Sequence, residues 1–394
     1  MPRVALLGWE YGRGLGHAIP LIQIAQALTS RGWRCVLALR SDLIPEGFDV
    51  EGFEVCAAPI WGGRAGVRPD VPRSSASMTD VLAGIGFCSA EWVERQVAAW
   101  RALFAEHKPD LLVTDHAPGA VLAARGRVPC LATGTGYTVP PAGLTTFPLF
   151  HTLSDPVFAE KEVLDTVNAA LAKSHTEPLQ ALSQAMTGDA SCVCTLPFLD
   201  PYAEHRTEEV LGPLLKERVY PRAGGATEIF CYLREPPREA RLDDLVSAIV
   251  DLPRRTVAFL PGLSPTRRAW LRDRGVTVLD GLASLNEQLS RSCLLIHPGG
   301  HGMAAAAVLA GVPQIVTSFD VEKWLTGRRL VGRGIAQQLD YQTTDARLLR
   351  AAILAALDDP VMDLESRQAS EDHAAFTHRN IAESVADSCQ QLAG

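Results

Sequence analysis

The chain has 394 residues, of which 47% are hydrophobic and 21% are charged, and its formal net charge at pH 7 is −8. This length suits two domains with cores of their own, and the composition excludes a disordered chain. No apolar run reaches the roughly 18 residues of a membrane helix, and a negative chain lacks the basic face of a general nucleic-acid binder, so we predict neither membrane insertion nor nucleic-acid binding.

The start of the chain runs from Met1 almost directly into an apolar segment, residues 4–7, without the parts of a signal peptide. We therefore expect a cytoplasmic protein. Its nine cysteines show no CxxC pair and no metal-ligand spacing. They are typical of small buried residues in a reducing compartment, and we predict no metal site.

Short β-rich runs alternate with helical stretches along the chain. The predicted strands are residues 4–7, 36–39, 111–114, 130–132 and 192–196, followed by 229–233, 256–260, 276–279, 293–297 and 314–317. Such alternation predicts an α/β protein in which each series forms a doubly wound, parallel, Rossmann-like sheet. A Pro- and Gly-rich stretch near residue 222 places the boundary between domains 1–221 and 222–364. Residues 365–394 are predicted to form a polar amphipathic helix.

Two glycine-rich turns each connect a predicted strand to a helix. The first contains Gly14, Gly16, His17 and Pro20, and the second contains Pro298, Gly299, Gly300, His301 and Gly302. The unpaired N–H groups of the helix after the second turn favour a phosphate or diphosphate, and glycines let such a group approach the backbone. The alternative is an ordinary tight connection that binds nothing.

Two regions do not follow the alternation of predicted strands and helices. Residues 61–77 are rich in Gly, Arg, Pro and Ser, and residues 134–156 contain Tyr137, Phe147 and His151. Each is either a surface loop with an apolar anchor or part of a binding pocket.

Taken together, these segments resemble nucleotide-sugar glycosyltransferases with the GT-B fold, of the UDP/dTDP family 1 and bacterial natural-product type. The resemblance rests on five collinear pieces: Gly14-x-Gly16-His17-x-x-Pro20, Arg31-Gly32 before Val36, Thr195-Leu196-Pro197, Gly212-Pro213, and the second turn running into Gly311-Val312-Pro313. It implies two domains facing a cleft, an N-terminal acceptor-binding domain, a C-terminal donor-binding domain, and a final helix crossing back to the first domain. It also implies that residues 134–156 shape the acceptor pocket.

The resemblance further implies an inverting, metal-independent transfer from a UDP- or dTDP-sugar to a hydroxyl or other nucleophile of a small-molecule or peptide acceptor. His17 then matches the general base, and Asp115 matches the residue that orients it. A free histidine has a pKa near 6.5, which suits proton removal near neutrality. The alternative is that both side chains merely cap the helices that follow them.

The donor side departs from the family pattern. We predict Gly299 as a donor-binding residue of this turn, and the backbone N–H groups of Gly300, His301, Gly302 and Met303 can still cradle a diphosphate. Pro298, Met303, Ala304 and Ala306, however, replace residues that supply side-chain contacts in the family.

Other donor-side residues leave alternatives open. His297 either compensates for the missing imidazole or is a core histidine. Glu322 and Lys323 stand where the family has an Asp-Gln pair, so they either contact the sugar or form a solvated helix face.

Three hypotheses follow. The first is the glycosyltransferase, with a nucleotide sugar as co-substrate, no other cofactor and a possible homodimer. The second is a GT-B homologue that no longer uses a nucleotide sugar and acts as an auxiliary or repurposed protein. The third is a nucleotide-sugar epimerase or hydrolase on the same fold.

Overall fold

A computed structural model describes residues 2–12, 14–44, 48–61, 75–234, 241–281 and 283–394. Two compact units make up the chain: unit 1 is Met1–Lys216 with Asn380–Gly394, and unit 2 is Glu217–Arg379. Most of the predicted loop 61–77 lies outside the described residues.

The first unit ends earlier than the predicted domain 1–221 and also includes residues 380–394. Residues after Lys216 already bond within unit 2: Arg222 N donates to Ala310 O at 2.9 Å, and Tyr220 N donates to the side chain of Asn286 at 3.0 Å. These hydrogen bonds join the predicted linker to helical residues of unit 2, so the division falls before residue 222.

Unit 1 contains a six-stranded parallel sheet in the order β3-β2-β1-β4-β5-β6. Its strands are β1 (Val4–Gly8), β2 (Arg34–Leu39), β3 (Glu54–Ala57), β4 (Leu111–Asp115), β5 (Cys130–Gly134) and β6 (Ala190–Val193). Its helices are α1 (Ala18–Thr29), α2 (Met78–Leu82), α3 (Ala90–His107), α4 (Pro118–Ala124), α5 (Glu160–Lys173) and α6 (Gln184–Thr187), with a π-helix at Ala83–Phe87 and a 3-10 helix at Pro197–Leu199. Apolar strands buried on both faces need helices on both sides.

Unit 2 contains a second six-stranded parallel sheet in the order β12-β11-β10-β7-β8-β9. Its strands are β7 (Glu228–Tyr232), β8 (Thr256–Phe259), β9 (Thr277–Leu279), β10 (Ser292–His297), β11 (Gln314–Ser318) and β12 (Ala336–Asp340). Its helices are α7 (Leu242–Leu245), α8 (Pro265–Asp273), α9 (Leu285–Arg291), α10 (His301–Ala310), α11 (Val321–Gly332), α12 (Ala346–Leu357) and α13 (Pro360–Asp372), with 3-10 helices at Val246–Ile249 and Ala374–His378. The predicted pair of doubly wound parallel sheets is confirmed.

The predicted helix over 365–394 is wrong as a single element. Helix α13 ends at Asp372, a 3-10 turn follows, and Asn380 caps a new helix, α14 (Ile381–Leu392), by accepting from Glu383 N. Helix α14 packs on α1 in unit 1, where Arg31 forms ion pairs with Glu383 and Asp387 at 2.6 and 2.7 Å. Among the described residues, no helix is long and apolar enough to cross a membrane.

Candidate functional site

The structure brings His17 and Asp115 together in unit 1. Strands β1 and β4 are neighbours, so the segment after β1 and the last residue of β4 meet at the same edge of the sheet. His17 Nδ1 lies 3.1 Å from Asp115 Oδ1, and the two side chains are 11% and 4% exposed. His17 stands at the N-cap position of α1 but makes no side-chain capping hydrogen bond, and the N-cap of α4 is Ala117 instead of Asp115. The geometry holds an imidazole against a buried carboxylate.

Two glycines allow the backbone to approach this pair closely. Gly12 has a φ of +95°, and a Cβ there would lie 2.5 Å from His17 Nε2. Gly134, at the end of β5, has a φ of +138°, and a Cβ there would lie 2.9 Å from Asp115 Oδ1. Any other residue at either position would strain the backbone and displace a member of the pair.

If His17 is the predicted general base, Gly12→Ala should lower the rate constant of the catalysed reaction by roughly 10- to 1000-fold, because a small misplacement of a catalytic group has effects of this size. Single-turnover rates of the variant and the wild type measure the change. The matched control is Gly84→Ala, where an added Cβ meets nothing within 4 Å. Equal losses in both variants would contradict the explanation by contact with His17.

Aromatic rings surround His17. The ring of Trp9 stacks on that of His17 with centroids 5.4 Å apart, and the centroid of the His116 ring lies 5.7 Å from that of His17. Tyr11 meets His116 edge-on at 4.9 Å. His17 therefore sits in a largely apolar setting that limits the positions its ring can take.

The predicted acceptor residues extend this group of rings. Tyr137 lies 6.2 Å from His116 and 5.7 Å from Phe150, measured between centroids. Phe147 lies further along and contacts Tyr202, and the ring nitrogen Nδ1 of His151 accepts from Leu153 N. Tyr137, Phe147 and His151 are all at least 90% buried. Of the three, only Tyr137 adjoins the group around His17 through the ring contacts described.

Glu10 is a buried carboxylate that the sequence prediction missed. It follows Trp9 directly after β1 and is fully buried. Its oxygens accept from four N–H donors: Trp61 Nε1 at 2.9 Å, Gln96 Nε2 at 3.1 Å, Trp100 Nε1 and Gly119 N. Burial raises the pKa of Glu10, and the four donors partly offset that effect. The only indication of this site in the sequence was a charged residue directly after an apolar strand.

In unit 2, the side chain of His297 contacts the backbone of the second glycine-rich turn and supports it. His297 is fully buried at the end of β10; its Nδ1 accepts from Gly299 N at 3.2 Å, and its Nε2 lies 2.9 Å from Gln314 Oε1. Since Nδ1 accepts, Nε2 carries the proton and the ring is neutral. The imidazole therefore positions the turn instead of facing a ligand, which corrects its predicted place among the donor contacts.

The turn presents backbone amides at the start of α10. A backbone bond runs from Ala304 N to Gly300 O at 3.0 Å, and the amides of His301, Gly302 and Met303 precede it in the first turn of the helix. Gly299 has a φ of +96°, and a Cβ there would lie 2.8 Å from Val316 Cγ1. At Gly300, in contrast, an added Cβ meets nothing within 4 Å.

Lys323 is placed differently from its prediction. It is 8% exposed, its Nζ lies 2.6 Å from Asp320 Oδ2, and it sits 4.7 Å from the centre of the Phe319 ring. This ion pair neutralises the charge that was predicted to contact the donor. Glu322 is half-buried in the first turn of α11.

Unfolding of unit 2 should depend on pH through His297. Burial lowers its pKa to about 4, whereas the unfolded side chain binds a proton near pH 6.5. The stabilisation is therefore present above pH 6.5 and is lost as the pH falls towards 4. Between pH 7 and pH 5, we expect the free energy of unfolding to fall by about 2 kcal/mol more in the wild type than in His297→Gln, as measured by urea unfolding. If the free energy of unfolding changes equally with pH in the wild type and in His297→Gln, the buried neutral imidazole is contradicted. His205→Gln, at an exposed site, is the control.

Each unit holds a parallel six-stranded sheet; a buried His–Asp pair lies beyond the strands of the first, and a glycine-rich turn before a helix follows β10 of the second, an arrangement that agrees with the GT-B class. Residues 276–392 match the family described as erythromycin biosynthesis protein CIII-like, C-terminal domain. The chain is 25% identical to L-demethylnoviosyl transferase of Streptomyces niveus over 386 residues, which cover 95% of each chain.

Solved structures agree in fold. The calicheamicin glycosyltransferase CalG4 superposes with a TM-score of 0.67 at 20% identity, covering 99% of this chain and 98% of that one. Glycosyltransferase VinC, solved in complex with dTDP, superposes with a TM-score of 0.65 at 16% identity and 99% coverage of both chains. The chain thus has the GT-B fold that its motifs predicted, and the relatives and solved structures it resembles are glycosyltransferases.

Proposed function

We propose that this glycosyltransferase moves a sugar from a dTDP- or UDP-sugar to a hydroxyl of a small-molecule acceptor, with inversion at the anomeric carbon. The observation that carries the proposal is the buried contact of 3.1 Å between His17 Nδ1 and Asp115 Oδ1. A nucleotide-sugar donor is supported by VinC, a protein of the same fold that was solved with dTDP.

The pair suits general base catalysis. A carboxylate that accepts from Nδ1–H fixes the tautomer in which Nε2 carries the lone pair, and it stabilises the imidazolium that forms. The acceptor oxygen forms a bond to the anomeric carbon, the bond from that carbon to the diphosphate oxygen breaks, and the acceptor proton moves to Nε2. A single displacement of this kind inverts the anomeric carbon.

Departure of the nucleoside diphosphate needs stabilisation of its negative charge. We assign this role to the amides of Gly300, His301, Gly302 and Met303 at the start of α10, where helix N-terminal N–H groups favour anions. His297 holds the turn through Gly299 N. Backbone amides do this without a metal ion, so we propose a metal-independent reaction with no cofactor besides the nucleotide sugar.

The experiment that tests the donor assignment is a calorimetric titration with dTDP, UDP and GDP. We expect dTDP or UDP to bind with a dissociation constant between about 1 μM and 1 mM. Gly300→Val should weaken that binding at least about tenfold, because the new side chain fills the open space beside the amides, where a Cβ meets no protein atom within 4 Å. Since Gly300 is the N-cap of α10 and valine is a poor N-cap residue, we expect the melting temperature to fall by no more than a few degrees.

Gly224→Val is the matched control, since Gly224 also lies in unit 2 and its Cβ would meet nothing within 4 Å. Equal nucleotide binding by the wild type and Gly300→Val would contradict the place we assign to the diphosphate. No binding of any nucleotide by the wild type would contradict the donor itself.

A second candidate function is a homologue with this fold that no longer uses a nucleotide sugar. It is favoured by the replacement of the family's donor side chains by Pro298, Met303 and Ala304, and by the commitment of Lys323 to Asp320. The titration separates the two candidates, because only the transferase requires the turn to bind a nucleoside diphosphate.

A further inference from the structure

Trp9 is a fully buried aromatic residue whose position is fixed from two sides. It directly follows β1 and belongs to the hydrophobic core of unit 1. Its backbone N–H donates to Ala38 O at 3.0 Å, and its indole Nε1–H donates to Tyr11 O at 2.6 Å. Both the main chain and the indole N–H of this residue are therefore anchored to neighbouring backbone.

The indole of Trp9 lies against the imidazole of His17. The two ring centroids are 5.4 Å apart and the ring planes differ by 24°, which is a stacked arrangement within the usual range of aromatic pairs. Asp115 Oδ1 approaches the same imidazole at Nδ1, at 3.1 Å. Because a ring N–H lies in the plane of the imidazole, the carboxylate holds an edge of the ring, whereas the indole lies over a face.

Other titratable groups also face or adjoin this pair of rings. The Asp115 carboxylate favours the protonated imidazole through its charge. The ring of His116 stays neutral, because burial lowers its pKa well below the usual value and the neighbouring His17 lowers it further. The carboxylate of Glu10, next to Trp9, accepts from the four donors described above. The indole thus acts on the imidazole alongside one carboxylate and one neutral histidine.

An indole face distinguishes the two protonation states of a histidine. The face carries partial negative charge, and tryptophan attracts a cation within about 6 Å of its ring centroid more strongly than tyrosine or phenylalanine does. A neutral imidazole gains less from the same contact. The attraction is stronger where water is excluded, and here the His17 side chain is only 11% exposed while Trp9 is fully buried.

We propose that Trp9 is a positioning residue that stabilises the positive charge on His17 when the imidazole takes the proton of the acceptor hydroxyl. This inference rests on the proposed function, in which His17 is the general base. Trp9 takes part in no bond that forms or breaks. It acts at the face of the imidazole, while Asp115 acts at the Nδ1 edge.

Fluorinated tryptophans in place of Trp9 test this role, because fluorine withdraws electron density from the indole face and adds little volume. Monofluoro- and trifluorotryptophan, inserted at this one position of the full chain, give a graded series. An NMR titration follows the ring of His17, whose signal is assigned by its loss in His17→Ala. We expect the titration midpoint to move to lower pH along the series, by roughly 0.4–0.7 pH units in total. A less stabilised imidazolium releases its proton at lower pH.

Two further measurements complete the test. The rise of the transfer rate with pH should move to lower pH by the same interval, since the base acts when it is deprotonated. The control is the same fluorination of Trp33, which is also buried in unit 1 but whose ring contacts Arg3. It should leave the midpoint of His17 in place.

The variant Trp9→Leu separates this role from a merely structural one. It removes the ring, so it should lower the melting temperature and also move the midpoint of His17 to lower pH. A Trp9→Leu variant that melts lower but keeps the wild-type midpoint would overturn the inference, as would a midpoint that stays constant along the fluorinated series. The titration uses the protein without substrate, so such a result removes only the role of Trp9. The proposed function is judged separately, by nucleotide binding and by the transfer rate of His17→Ala.

Discussion

Replacement of His17 by alanine is expected to lower the rate constant of sugar transfer by about 100- to 10,000-fold, the range typical of a removed general base. The reason is the pairing of His17 Nδ1 with Asp115 Oδ1 at 3.1 Å, which orients the other ring nitrogen as the proton acceptor. Single-turnover rates with saturating donor would measure the loss without a contribution from product release.

Nucleotide binding should stay unchanged in the His17→Ala variant, because the turn proposed to hold the diphosphate belongs to unit 2. Asp115→Ala should lower the rate less than His17→Ala, since the imidazole remains and only its orientation is lost. The exposed His205 of the same unit provides the matched control, and His205→Ala should transfer at the wild-type rate. Equal turnover by His17→Ala and the wild type would remove His17 from the role of base.

Replacement of Glu10 by alanine should lower the free energy of unfolding of unit 1 by about 3–5 kcal/mol, among the largest single-residue effects expected here. The substitution leaves the indole N–H groups of Trp61 and Trp100, the amide of Gln96 and the backbone N–H of Gly119 without their acceptor. Each buried donor without a partner costs about 1–3 kcal/mol, and the loss of side-chain volume adds a cavity.

Calorimetric melting would measure this effect as a fall on the order of 10 °C. Glu10→Gln tests the cause, because glutamine fills the same volume but replaces one accepting oxygen with an NH₂ group that faces other donors. It should also destabilise the protein. The exposed Glu91 of α3, 80% accessible at its side chain, is the control, and Glu91→Ala should change stability by no more than about 0.5 kcal/mol. A stable Glu10→Gln would indicate that volume matters more than the accepting oxygens.

Most central strands could be predicted from the sequence, and the missed ones share a cause. Strand β3 (Glu54–Ala57) and strand β12 (Ala336–Asp340) lie at the edges of their sheets and are mostly exposed or half-buried. An edge strand does not need a continuous apolar run, so the pattern that revealed β1 and β10 was absent. The predicted strand 192–196 was displaced for a local reason, since Pro197 begins a 3-10 helix and the strand ends at Val193.

On the donor side, the position of a residue in the motif did not predict what its side chain contacts. Lys323 and His297 were predicted as donor contacts from their places in the motif. In the structure, Lys323 forms an ion pair with Asp320, and His297 contacts Gln314 and supports the glycine-rich turn. A motif gives the position of a residue along the chain, whereas its partners depend on how neighbouring strands align.

The sequence by itself determined the two-sheet α/β architecture, because apolar periodicity and glycine-rich turns are local properties of the chain, and its resemblance to a known family indicated His17 as the candidate base. Only the tertiary structure decided which side chains meet. The four donors around Glu10 come from residues far apart in the chain. The same holds for the buried ring of His116 between Tyr11 and Tyr137. The contact of His17 with Asp115 was implied by the family resemblance, and the structure supplied its distance and burial. Such contacts arise from strand order and packing, and neither leaves a periodic signal in the sequence.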